Sequence, residues 1–186
     1  MKRTARFSAM LTALSFSGLV FASDAATSAS AGSNSFRRNG RSSATARYDG
    51  RVGFARTDTR SGRLNLARGV AVGADRNGVT LSVSNAVAPR FGPALATNFN
   101  LGIGRDGSVS TSRGSSLSFG PFKRSAFAGG GVSTRRHGST ATSVAGGRSD
   151  RFGRVSARSQ SQQRRGVSRT LARRVVKRAV IHRLRD

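Results

Sequence analysis

Residues 69–84 read Gly-Val-Ala-Val-Gly-Ala-Asp-Arg-Asn-Gly-Val-Thr-Leu-Ser-Val-Ser. On both sides of Asn77-Gly78 large apolar residues occupy every second position, Val70 and Val72 before it and Val79, Leu81 and Val83 after it. Side chains two apart share one face of a strand, so the stretch predicts two strands with one apolar face each. Asn and Gly tolerate the positive φ of a tight reversal, which makes the pair a hairpin signal.

The same arrangement recurs. Asp49-Gly50, Asp106-Gly107 and His137-Gly138 join Asn77-Gly78 in a series whose successive spacings are 28, 29 and 31 residues. Ala44, Ala46 and Tyr48, then Val52 and Phe54, alternate around the first, and Phe99, Leu101, Ile103 and Val109 flank the third. The fourth keeps only Val132 and Val144. This predicts a mainly β fold, a small meander of about four degenerate hairpins over 43–146. Gly-Pro connectors at 88–93 and 119–122 are expected to break the strands between hairpins. Strand arms of about six or seven residues fall short of the roughly 9 to 11 of a transmembrane barrel, and the polar fourth unit supplies no lipid-facing band. A sheet with one apolar face needs a cover. It could curl into a barrel, take the C-terminal segment on that face, or pair with a second copy.

Composition frames the rest. The 186 residues hold 33 Lys plus Arg against 7 acidic residues, a net charge of +26. All but Lys2, Lys123 and Lys177 of the basic residues are Arg, and every acid is Asp. The planar guanidinium pairs bidentately with phosphate, sulfate and carboxylate, so this charge points to anionic partners. A coding bias toward Arg, Ala and Gly would raise the charge without any ligand. Lys2, Arg3 and Arg6 precede an apolar run of about 16 residues, shorter than the roughly 20 needed to span a bilayer. Small residues at Val20 and Ala22, and again at Ser23 and Ala25, suit cleavage, so 1–22 is expected to be a signal peptide and the chain secreted or periplasmic in a bacterium. Loss of those three cations would take the +26 of the whole chain to +23.

The flanks of the β region are polar and basic. Residues 23–42 and 147–167 are expected to be disordered linkers. Ser168 can cap a basic amphipathic helix over 168–184. Leu171, Ala172, Val175, Val176, Ala179 and Val180 form its apolar side, and Arg173, Arg174, Lys177 and Arg178 its basic side.

Catalytic ingredients are scarce. The chain has no Cys, no Glu and two distant histidines, His137 and His182. Asp49, Asp75 and Asp106 sit at turns, where local hydrogen bonding accounts for them. No nucleophile elbow, P-loop or dinucleotide fingerprint is present. The expectation is a non-enzymatic protein with no cofactor, metal or small-molecule substrate. Its partners would be anionic polymers: surface glycans, lipid head groups or extracellular DNA. Paired cations mark the candidate contacts: Arg37 and Arg38, Arg135 and Arg136, Arg164 and Arg165, and the helical Arg173, Arg174, Lys177 and Arg178. Phe stands beside Arg at Phe36-Arg37-Arg38, Arg90-Phe91 and Arg151-Phe152, a pairing that can stack on bases while neutralising phosphates. Two other functions fit the same residues: a structural protein that associates through its sheets, and a membrane-active one working through 168–184.

Overall fold

The computed structural model describes residues 23–34, 39–136, 138–150 and 152–164. They form ten antiparallel strands, β1 (Ser23–Asn34), β2 (Asn39–Asp49), β3 (Val52–Arg60), β4 (Leu64–Ala74), β5 (Gly78–Pro89), β6 (Ala94–Gly104), β7 (Val109–Phe119), β8 (Lys123–Arg135), β9 (Gly138–Ser149) and β10 (Arg154–Arg164). Two sheets result, a four-stranded one ordered β2-β1-β8-β9 and a six-stranded one ordered β10-β7-β6-β5-β4-β3. They stack as a sandwich: β1 lies over β4 and β5, β8 over β5 and β6, and β9 over β6, β7 and β10.

The mainly β expectation holds, and its details change. Strands run 9 to 13 residues rather than six or seven. Asn77-Gly78, Asp106-Gly107 and Gly138 fall at the β4–β5, β6–β7 and β8–β9 hairpins, though Gly78 and Gly138 are already the first residues of β5 and β9 and of the three only Gly107 takes the positive φ expected. Asp49-Gly50 carries the chain from one sheet to the other, because β2 and β3 belong to different sheets. The Gly-Pro stretch at 90–93 reverses the chain into a further hairpin, Gly92 taking a φ of 103°. The stretch at 120–122 is a crossing between sheets.

The segments expected to be linkers differ most. Ser23–Asn34 is β1, at the centre of the smaller sheet with β2 and β8 on its flanks, and Arg154–Arg164 is β10, an edge strand on β7. β1 alternates small residues without any large apolar side chain, and β10 holds only Val155 among Arg, Ser, Ala and Gln, so hydropathy carries no strand signal. Both fold because a partner strand supplies the backbone hydrogen bonds; the opposite sheet covers one face of β1, whereas the β10 side chains stay exposed. Residues 1–22 and the 168–184 helix lie outside the described residues, among which there is no helix.

The deepest reversal concerns the faces. In β5 the buried residues are Gly78, Thr80, Ser82, Ser84, Ala86 and Ala88, whereas Val79, Leu81, Val83 and Val87 point away from the second sheet. The core between the sheets is built of alanines, Ala29, Ala67, Ala86, Ala96, Ala126 and Ala128 among them. Val132 is the one larger apolar side chain in a second, smaller cluster. Each alanine contributes about one methyl, on the order of 0.8 kcal/mol, and loses no side-chain entropy on burial. Small side chains also let the backbones approach. A methyl added at Gly69 of β4 would lie 2.6 Å from the Thr45 carbonyl oxygen of the opposing sheet, closer than a side chain can sit.

Polar residues complete this interface. Thr27 of β1 bonds across to Ser82 at 2.8 Å and Ser84 at 2.7 Å. Asn100 of β6 donates to the Ser112 hydroxyl at 3.0 Å and to the Thr142 carbonyl of β9 at 2.9 Å. Thr27, Ser82 and Asn100 thus find partners within and across the sheets, while the Ser33, Ser110 and Ser139 hydroxyls are buried without one.

Candidate anion-binding site

At one end of the sandwich the turns after β2, β4, β6 and β8 converge, with exposed Arg51, Arg76, Arg105, Arg135 and Arg136 among their residues. Two of the nearby carboxylates are engaged in holding turns. Asp75 accepts from the amides of Asn77 at 2.7 Å and Gly78 at 3.1 Å. Asp106 accepts from the Ser108 amide at 3.0 Å and its hydroxyl at 2.6 Å, beside Gly107 with a φ of 83°.

The β8–β9 turn carries a shallow concavity at this end. Ser133, Arg135, Arg136, Gly138, Ser139, Thr140 and Gln163 line an open groove of about 370 Å³. The ladder sets the lining: Ser133 pairs with Thr140, Thr134 with Ser139 and Arg135 with Gly138. On the β10 side, Gln163 is fixed by donating from Nε2 to the Ser139 carbonyl at 3.1 Å. Ser139 is 1% exposed, and its buried Oγ has no hydrogen-bond partner. Two guanidiniums and the hydroxyls of Ser133 and Thr140 in one groove can coordinate a tetrahedral or planar anion, while the Ser139 side chain lies on the inner face of β9 with Ala141.

Of the residues chosen from sequence, the fold therefore brings Arg135 and Arg136 together in a groove. The backbone of Arg164 ends β10 beside Gln163 and pairs with Val109. Arg37, Arg38, Arg165, Arg173, Arg174, Lys177 and Arg178 lie outside the described residues. Sequence reasoning missed Ser139, Thr140 and Gln163, which enter the groove only through strand pairing.

A second surface was not expected in this position. The outer face of the six-stranded sheet carries the large apolar side chains in rows across the strands, Val72, Leu81 and Leu101 in one and Val70, Val83 and Phe99 in the next. Phe99 is 43% exposed. The edge strands that flank these rows are polar, with exposed Arg56 and Arg60 on β3 and Arg154 and Arg158 on β10.

Compared with known proteins, the chain matches no family model, no curated protein and no solved structure.

Proposed function

We propose that this is an exported, non-enzymatic protein that binds anionic polymers through arginine. The observation that carries the reading is the groove in which Arg135 and Arg136 are brought together with Ser133 and Thr140. The charge of the exported chain, +23 of the +26 once the three leader cations are lost, would concentrate any polyanion near it, and paired guanidiniums with hydroxyl donors would hold individual phosphate, sulfate or carboxylate groups. Surface glycans, lipid head groups and extracellular DNA all present such groups. The test is retention on immobilised heparin and DNA across a salt gradient. Arginine-mediated binding falls steeply as salt rises; retention indifferent to salt, or equal in an Arg135→Ala/Arg136→Ala variant, would refute it.

A second reading rests on the apolar outer face of the larger sheet. Contiguous exposed apolar surface marks an interface in most soluble proteins, and the two copies of such a face would cover each other. Self-association of this kind strengthens as salt screens the positive charge, opposite in sign to polyanion binding.

A further inference from the structure

Phe91 and Phe152, far apart in the chain and each beside an Arg in the sequence, stand at one end of the fold, Phe91 with Arg90 in the β5–β6 turn and Phe152 in the β9–β10 turn. Phe122, in the β7–β8 crossing, stands there too. This is the end opposite the Arg135–Arg136 groove. Phe91 is 72% exposed, Phe122 50% and Phe152 85%.

The rings are presented by a braced platform. Arg124, at the start of β8, is 4% exposed and donates to the carbonyl of Gly120 at 2.9 Å, to that of Pro89 at 3.1 Å and to that of Arg90. One guanidinium thus ties the Phe91 turn to the Phe122 turn. Burial lowers its pKa, with the nearby Asp150 charge acting in the opposite direction. Asp150 in turn accepts from the amides of Phe122 at 2.9 Å and Lys123 at 3.3 Å, tying the Phe122 turn to the Phe152 turn. Among the described residues Asp150 is the only carboxylate in the turns at this end, and it is turned inward to these amides. Exposed Arg63, Lys123 and Arg154 surround the rings.

We infer that this end seats on an anionic lipid bilayer, with Phe91, Phe122 and Phe152 entering the interface and the surrounding cations meeting lipid phosphates. Aromatic side chains at turn apices bury their rings in the acyl boundary without disturbing the sandwich, and the cations favour an anionic leaflet. Single-stranded nucleic acid would need open ring faces for stacking. At Phe91 the Arg90 guanidinium already lies 5.0 Å over the ring centroid. The site is distinct from the anion groove, so the two readings stand or fall separately.

The chain contains no Trp. A Phe152→Trp variant of the exported protein therefore has a single indole emitter at the proposed contact, and Tyr48→Trp places one at the opposite end. On vesicles of phosphatidylglycerol and phosphatidylcholine, the first should shift to shorter wavelength and be quenched by brominated acyl chains, while the second should not. Full insertion of one ring strengthens partitioning about tenfold or more, so Phe91→Ser/Phe152→Ser should weaken vesicle binding about a hundredfold and leave heparin retention unchanged. Absence of the shift and quench on anionic vesicles would overturn the inference. So would vesicle binding untouched by the double substitution, or quenching of Phe152→Trp by oligothymidylate but not by lipid. Because the Trp readout needs no destabilising change, it decides the matter even if the double variant folds poorly.

Discussion

The hydroxyl of Ser82 donates to Oδ1 of Asn100 at 2.5 Å, between neighbouring strands in the middle of the sandwich, where both side chains are fully buried. Thr27 reaches the same Ser82 from the opposing sheet, and Asn100 continues the network to Ser112 and Thr142. Methyl groups alone would let two flat sheets slide; directional bonds across the gap specify one stacking of the sheets.

Asn100→Ala should therefore be among the most damaging single changes in the protein. It would take the acceptor from the Ser82 hydroxyl, which keeps its bond to Thr27, and the donor from the Ser112 hydroxyl and the Thr142 carbonyl. Leaving buried polar groups unpaired costs about 1–3 kcal/mol each before relaxation, so a loss near 3 kcal/mol is expected. Urea unfolding monitored by far-UV circular dichroism measures it directly, and a loss below about 1 kcal/mol would show that the network is dispensable.

Spacing between the sheets predicts a sharp contrast between two glycines. A methyl on Gly130 would overlap the Asn100 side-chain nitrogen and the Thr142 carbonyl oxygen, whereas one on Gly138 meets nothing within 4 Å. Gly130→Ala should cost about 3 kcal/mol through overpacking, and Gly138→Ala should stay within about 0.5 kcal/mol of the wild type. Paired thermal melts suffice. Equal melting temperatures would mean that the sheets are not this close.

How much of this was legible follows from which residues carry alternation. Val70, Val72, Val79, Leu81 and Val83 announce β4 and β5 because large and small side chains alternate; the reversal between them falls where Asn77-Gly78 marks it, but Asp75 holds it through the Asn77 and Gly78 amides, and Gly78 is already a strand residue without a positive φ. β1 and β10 were illegible: in Ser23–Asn34 both faces are Ser, Ala, Thr, Gly or Asn with one Asp, so hydropathy shows no period. Alternation also does not say which face is covered. The usual assumption buries the large side chains, and here the alanine and serine face wins because the opposing sheet offers only small residues to match it. In the candidate site Arg135 and Arg136 were visible as a charged pair. Ser139 and Gln163 were not, since nothing local connects residues 24 positions apart.

If the outer apolar face is an interface between copies, a single charge placed on it, where Phe99 borders Arg113, should abolish assembly at little cost to the fold. Phe99→Lys puts an ammonium among Val70, Val83 and Leu101 on a surface already 43% exposed at that position. Sedimentation velocity at high salt should show concentration-dependent assembly of the wild type and a monomeric variant, with thermal stability lowered by about 1 kcal/mol or less. A wild type that stays monomeric at high salt would sink the self-association reading.

The anion groove predicts that two neighbouring substitutions on β9 separate stability from binding. Ser139 is buried, and its hydroxyl makes no hydrogen bond within the protein, so it carries a desolvation cost with no return from the fold. Ser139→Ala should remove that cost and stabilise the protein, by about 1 kcal/mol, and leave anion binding unchanged because the side chain shares the inner face with Ala141. Thr140 is exposed opposite Ser133 in the groove, so Thr140→Ala should weaken phosphate binding several-fold, as the loss of one hydrogen bond does, with stability within about 0.5 kcal/mol of the wild type. Isothermal titration with inorganic phosphate and melts of the unliganded variants separate the two effects. A Thr140→Ala variant that binds as well as the wild type would confine the groove's affinity to its two guanidiniums.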